Sequence, residues 1–236
     1  ILRDMIRQTV YAVSENTAKP IYTGSLYEIE DGVFKIIAID GYRMAIRSEN
    51  VDSESKNRFV VPGKTQHEVL KLLTDDEENT EIIIGQRHIT FKIKNYRIIS
   101  RLIEGTFIEY KSAIPKETKT EVVINTRTII DAVERMSLLN NDRIQSPVRC
   151  IFSDDEIKLS CTSAVGRAND VISVPIIGES VEIGFNNRYL LDALKNADTD
   201  EIKLILNGSL TAMIVKPVKG DSYLSIVVPM RLANEN

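Results

Sequence analysis

The chain is written twice. Glu68-Val69-Leu70-Lys71-Leu72-Leu73, a polar gap and Thr80-Glu81-Ile82-Ile83-Ile84 return further on as Arg188-Tyr189-Leu190-Leu191-Asp192-Ala193-Leu194, a polar gap and Asp200-Glu201-Ile202-Lys203-Leu204. The offset is about 120 residues, too long for a solenoid unit and suited to duplicated domains. Within 236 residues this allows two domains of similar build and little else.

Each half predicts a helix, a run of strands, a second helix and a further run of strands. Leu2, Met5, Ile6, Val10 and Val13 fall on one helical face, so the spacing predicts a helix over 1–13. A hairpin follows, with strands over 25–30 and 33–39 joined by the turn pair Asp31-Gly32. The apolar run 58–62 leads into a short helix over 64–73, then strands over 81–84, 88–94 and 96–102. In the second half Ile129, Ile130, Val133 and Met136 mark a helix over 126–139. Strands over 148–153 and 157–162 turn about Asp154-Asp155, the run 181–185 enters a helix over 187–195, and strands over 201–206, 210–216 and 223–228 close the series. Strands mostly follow one another directly, so the expected class is α+β with antiparallel sheets and two helices per domain. The polar stretch 114–120, with Pro115, is the expected linker, and the expected domains are 1–116 and 117–236.

The composition suits a soluble globular protein: 43% hydrophobic, 27% charged, and no apolar run long enough to span a bilayer. The first residues, Ile1-Leu2-Arg3-Asp4, carry neither an initiator Met nor a signal-type segment, which suggests a chain whose front part is missing. Cys150 and Cys161 fit no metal-ligand spacing and are expected as reduced core thiols of a cytoplasmic protein. Asn207-Gly208-Ser209 matches a glycosylation sequon but, without a secretory signal, is expected to be a hairpin turn.

A search for catalytic machinery finds little. His67 and His88 are the two histidines, and neither has a Cys or third His at ligand spacing. No phosphate-cradling glycine motif and no nucleophile elbow occur, and no cofactor is expected. Asp40, in Ile39-Asp40-Gly41, and the run Asp154-Asp155-Glu156 are the carboxylates best placed for acid–base or metal work. Asp beside Gly at a strand end is also ordinary turn chemistry. The acidic run Asp75-Asp76-Glu77-Glu78 reads as a solvated loop. The expectation is a non-enzyme. The rival reading is a metal-dependent nucleic-acid enzyme using Asp40 or Asp154.

Charge is more informative. In the helical segments Arg3, Arg7, Lys64, Lys71, Arg127, Arg135, Arg188 and Lys195 outnumber Asp4, Glu68, Asp131, Glu134 and Asp192, although the whole chain carries a net charge of -4. Arg3 and Arg7 share one helical face, as do Lys64 and Lys71. Such helices could meet phosphates while the rest of the surface repels them. Equally, helices favour Lys and Arg on solvated faces.

Three segments resemble a known family. Ile39-Asp40-Gly41-Tyr42-Arg43-Met44-Ala45 resembles the T-D-G-H-R-L-A segment in the middle domain of the bacterial sliding clamp, the beta subunit of the replicative polymerase III holoenzyme. Glu182-Ile183-Gly184-Phe185-Asn186-Asn187-Arg188-Tyr189-Leu190 resembles its third-domain strand-to-helix junction, and Val228-Pro229-Met230-Arg231-Leu232 its M-P-M-R-L ending. The order and spacing of the three, on a duplicated α+β layout, make the resemblance specific across essentially the whole chain. It implies two tandem clamp domains, the middle one lacking its first strand, followed by the C-terminal one.

The resemblance implies a non-catalytic processivity factor of DNA replication. In that family a ring of similar domains surrounds duplex DNA without reading its sequence. Lys19 and Lys64 match DNA-facing family positions, and helical spacing adds Arg3, Arg7 and Lys71. A groove between the middle and last domains captures short linear motifs of polymerase, clamp-loader and repair proteins. Matching positions in the middle domain and linker are Tyr22, Ile39, Gly41, Tyr42, Arg43, Met44, Ile108 and Ala113. In the last domain they are Ile144, Asn186, Tyr189, Leu210, Ala212, Val227, Val228, Pro229, Met230, Arg231 and Leu232. Arg43 and Asn186 are expected to bond the peptide, while Met44 and Met230 offer adaptable apolar walls. The full-length family protein is a homodimeric ring, with Leu138 and Leu139 placed at the closing interface. Tyr42, Ile108 and Val228 depart from the common His, Pro and Met, which bears on motif preference.

Overall fold

The computed structural model describes residues 1–74, 79–139 and 146–232. The expected acidic loop at 75–78 and Ile144 lie outside the described residues. The chain divides into two compact units, Ile1–Glu109 and Tyr110–Asn236, a division that falls before the linker read from the sequence.

The first unit opens with α1 (Leu2–Val10), which buries Met5, Ile6 and Val10. The helix is shorter than its apolar spacing suggests, because the chain leaves it through a turn at Tyr11 and Ala12. A four-stranded antiparallel sheet follows, built from β1 (Gly24–Glu30), β2 (Val33–Ile39), β3 (Arg43–Asn50) and β4 (Asn57–Pro62) in the order β3-β2-β1-β4. Asp31 and Gly32 make the predicted hairpin turn, both with positive φ (51° and 72°). Helix α2 (Gly63–Leu72) packs on α1 and leads to a second antiparallel sheet of β5 (Glu81–Ile84), β6 (His88–Ile93) and β7 (Tyr96–Arg101). One core lies beneath the helices: Met5, Ile6 and Val10 of α1 meet Tyr27, Phe34, Ile36, Phe91 and Ile93 of the sheets.

The second unit repeats this series with additions. Strand β8 (Thr120–Asn125) precedes α3 (Thr126–Ser137); β9 (Val148–Ser153), β10 (Glu156–Ser163), β11 (Gly166–Ser173), β12 (Ile176–Gly178) and β13 (Val181–Phe185) follow. After α4 (Asn187–Lys195) come β14 (Glu201–Leu206), β15 (Met213–Pro217) and β16 (Tyr223–Val227). One sheet runs β11-β10-β9-β13, and the other joins β12, β8, β14, β15 and β16 in that order. Both helices begin with the same device: Asn125 accepts a hydrogen bond from Thr128 N at 3.0 Å, and Asn186 one from Tyr189 N at 3.2 Å. Their apolar faces, with Ile129, Val133, Met136, Leu190 and Leu194, close on Cys150, Phe152, Phe185 and Leu204.

The α+β class with antiparallel sheets holds. Three strands, β3, β11 and β12, are absent from the expectation, as is most of β8, whose first residue, Thr120, ends the expected linker. The reasons are physical. Arg43, Met44, Ala45 and Ile46 of β3 are all buried in succession, so no polar–apolar alternation betrays the strand. Strand β11 is an edge strand with one partner, β10, and a mostly polar sequence, so backbone pairing rather than side-chain pattern defines it. Strand β15 begins at Met213, three residues later than expected, because 207–212 form the turn that Gly208 enters with φ +86°. Among the described residues no helix is long and apolar enough to cross a membrane.

Candidate peptide-binding and DNA-facing residues

In the first unit the β2–β3 turn is held by three hydrogen bonds to Asp40. Gly41 adopts φ +96°, a conformation that an L side chain rarely takes. Asp40 shapes the turn: its Oδ1 accepts hydrogen bonds from Tyr42 N (2.8 Å) and Arg43 N (3.0 Å), and its Oδ2 accepts one from Arg43 Nε (2.9 Å). The Arg43 and Asp40 side chains are only 5% and 9% exposed. On its other face the guanidinium lies 5.4 Å from the centre of the Tyr11 ring. Arg43, read from sequence as bonding a peptide, is bonded here to Asp40 and lies against Tyr11. Tyr42, in contrast, projects at 61% exposure. Met44 is buried and Ile39 half-buried. Tyr22 is half-buried edge-on to Phe107, with ring centres 5.8 Å apart, and Lys19 Nζ lies 6.0 Å from the Tyr22 centroid. Ile108 is exposed.

In the second unit the residues after β16 cross β13 at a glycine. Met230 N donates to Gly184 O at 2.8 Å. A Cβ on Gly184 would lie 2.6 Å from Leu232 Cδ2 and 3.1 Å from Met230 O, so the tail can seat here only because no side chain intervenes. Val227 is buried in the core, Val228 is 39% exposed, Pro229, Met230 and Leu232 are half-buried, and Arg231 is exposed. Asn186 caps α4 through its Oδ1, so that oxygen has a structural task. Tyr189 packs partly against the core, Ala212 is half-buried, and Leu210 stands 83% exposed in the β14–β15 turn. Ala113 ends a short 3-10 turn, Tyr110–Ala113, and is exposed. Sequence reasoning missed Gly184 and Tyr11 as supports of these segments. A glycine inside the strand Val181-Glu182-Ile183-Gly184-Phe185 was the available signal for Gly184.

The basic side chains read as DNA-facing sit on α1, α2 and the loop before Tyr22. Arg3 and Arg7 are half-buried on α1, with Arg7 3.6 Å from Asp4. Lys64 and Lys71 are exposed on α2, and Lys71 donates to Glu68 at 2.7 Å. Leu138, read as an interface residue, is 83% exposed, whereas Leu139 packs partly against the core.

His67 and His88 are exposed. Among the described residues no group of three or more His, Cys, Asp or Glu side chains converges. Asp154 and Asp155 form the β9–β10 turn with φ 55° and 56°, and Asp155 Oδ1 accepts from Ile176 N at 2.9 Å. Cys150 and Cys161 are free and buried; burial pushes the Cys150 thiol up to about 12 and raises that of Cys161.

Residues 1–109 match the central domain of the DNA polymerase III beta subunit, and residues 111–231 match its C-terminal domain. The chain belongs to the DNA polymerase III beta subunit family. It is 32% identical to the beta sliding clamp of Halalkalibacterium halodurans over 98% of this chain and 63% of that protein. Against the beta sliding clamp of Bacillus subtilis the identity is 31%, covering 98% of this chain and 62% of the relative. The crystal structure of the Bacillus subtilis DNA polymerase sliding clamp superposes with a TM-score of 0.95 at 31% identity, over 98% of this chain and 62% of that one. A ligand-bound sliding clamp from Pseudomonas aeruginosa gives 0.92 at 29% identity, over 98% and 64%. The chain thus spans less than two thirds of the length of these beta-subunit relatives.

Proposed function

We propose that this chain is the peptide-capturing part of a DNA sliding clamp: a non-catalytic processivity factor that encircles duplex DNA and holds short linear motifs of polymerase, clamp-loader and repair proteins. The observation that carries the reading is the seating of the tail on Gly184, which leaves Val228 exposed and Met230 half-buried at the end of a strand whose Val227 is core. Apolar side chains presented on rigid backbone are what a motif with apolar anchors needs. The Gly41 turn, with Tyr42 outward, is the feature that the first unit offers to a peptide. Arg3, Arg7, Lys19, Lys64 and Lys71 face DNA phosphates and give affinity without base specificity. The whole protein is a cytoplasmic homodimeric ring in which Leu138 and Leu139 contribute to closure.

Titration of a fluorescent Q-L-x-L-F-like peptide tests the reading. Binding at micromolar strength is expected, and Met230→Asp is expected to abolish it by placing a charge among apolar anchors. Absence of binding by folded protein overturns the peptide assignment. The rival enzyme reading is disfavoured by Asp40, whose two carboxylate oxygens already serve the turn and Arg43.

A further inference from the structure

We propose that Tyr11 is a positioning residue for the Gly41 turn, and through it for peptide recognition, acting by way of the Arg43 guanidinium; its bearing on peptides rests on the function proposed above. The argument begins with small residues. Ala12 of the α1 exit, Ala38 of β2 and Ala45 of β3 are fully buried together, with Tyr11 packed against them. Three methyl side chains let the end of α1 approach the β2–β3 hairpin closely. Ala38 and Ala45 are directly cross-strand, and the next pair, Ile39 and Met44, closes the ladder before the turn. The same approach that packs the alanines lays the Tyr11 ring against Arg43, 5.4 Å from ring centre to Cζ.

From there the connections run without a gap. Arg43 Nε bonds Asp40 Oδ2, and Asp40 Oδ1 holds the amides of Tyr42 and Arg43. Water is a poor substitute for the ring, because the Arg43 side chain is 5% exposed. Without an aromatic face the guanidinium is held less firmly, its bond to the Asp40 carboxylate loosens, and the direction of Tyr42 is set less tightly. The ring face, rather than the hydroxyl, is the group this role requires, so Phe should serve and Leu should not.

Amide hydrogen exchange on the full chain, with Tyr11→Phe and Tyr11→Leu, tests the proposal. In Tyr11→Leu the Tyr42 and Arg43 amides should exchange about threefold to thirtyfold faster, the range of a buried cation–aromatic contact. Tyr11→Phe should match the parent, and amides of β5–β7 should not change in either variant. A clamp-motif peptide should bind Tyr11→Leu about threefold to thirtyfold more weakly and Tyr11→Phe normally. Unchanged turn amides in Tyr11→Leu overturn the proposal, as does an equal acceleration throughout β5–β7, which would mark a merely global role. Should the parent protein bind no peptide while the turn amides still respond, the proposed function fails and the positioning role stands.

Discussion

Asp40→Asn is the change whose outcome discriminates most between structure and chemistry at the Gly41 turn. Asparagine keeps an oxygen for the amides of Tyr42 and Arg43, which Asp40 Oδ1 receives at 2.8 and 3.0 Å. It then turns an NH2 toward Arg43 Nε, setting donor against donor where a carboxylate oxygen now accepts at 2.9 Å. With the Arg43 side chain 5% exposed, the cation is left buried without its Asp40 partner. One-sided rupture of a buried ion pair costs about 3–5 kcal/mol. The Tyr11 ring remains to receive the guanidinium, so about 2–4 kcal/mol is expected. Arg43→Met removes the cation and leaves a carboxylate still bonded to two amides, at about 2–3 kcal/mol. The double variant should cost clearly less than the sum, with a coupling energy of about 2 kcal/mol. Urea unfolding followed by circular dichroism measures these differences; hydrogen exchange assigns the shifted transition to the first unit, since two units need not unfold as one. Single changes each below about 0.5 kcal/mol, adding without coupling, would refute the reasoning. They would also free Asp40 for a ligand-binding task and revive the enzyme reading.

The tail seat offers a second test. Gly184→Val should displace Leu232 and weaken the Met230 N to Gly184 O bond, lowering peptide affinity about tenfold in fluorescence anisotropy while the unit stays folded. At high pH, burial raises the Cys150 thiol from 9.0 to about 12. Its folded-state pKa lies above its unfolded one, so its stabilising contribution is whole below pH 9.0 and disappears as pH climbs toward 12. Cys150→Ala should flatten that alkaline limb in denaturant titrations, and folded parent protein should resist thiol reagents at pH 8. At low pH the hydrogen bond from Lys195, helped by its charge, holds the Glu134 carboxyl below the usual 4.5. That contribution is present above 4.5 and lost as pH falls through the depressed value, so Glu134→Gln should shallow the acid limb in the same experiment.

How far these features could be read in advance depends on how local their causes are. The Asp31-Gly32 turn and the helix faces each rest on residues within a few positions of one another, and both are legible in the sequence. The two Asn caps are just as local but go unread there, Asn186 being assigned to a peptide. Strand β11 rests on pairing with β10 alone, and its polar string Gly166-Arg167-Ala168-Asn169-Asp170 gives no sign of it. Gly184 is intermediate: a glycine inside a strand announces a close approach, but only the tail, more than forty residues on, says what approaches.

Asp40 shows why a motif can be found and still carry two readings. A carboxylate shaping a turn and a carboxylate holding a metal are the same letter, and both favour a glycine next door. What separates them is where the neighbouring positive charge goes. Arg43 stands three residues on, within reach of Asp40 across a tight turn, so the pairing was available to local reasoning. Its surroundings were not, because the Tyr11 ring beside it comes from the exit of α1, far off in sequence. The buried arginine fixes the turn, while Tyr42 beside it stands exposed. On the positioning role proposed above, the order of these four consecutive residues depends on a ring some thirty positions earlier in the chain. For that reason the aromatic character of position 11, rather than the charge at position 43, is the variable to change first.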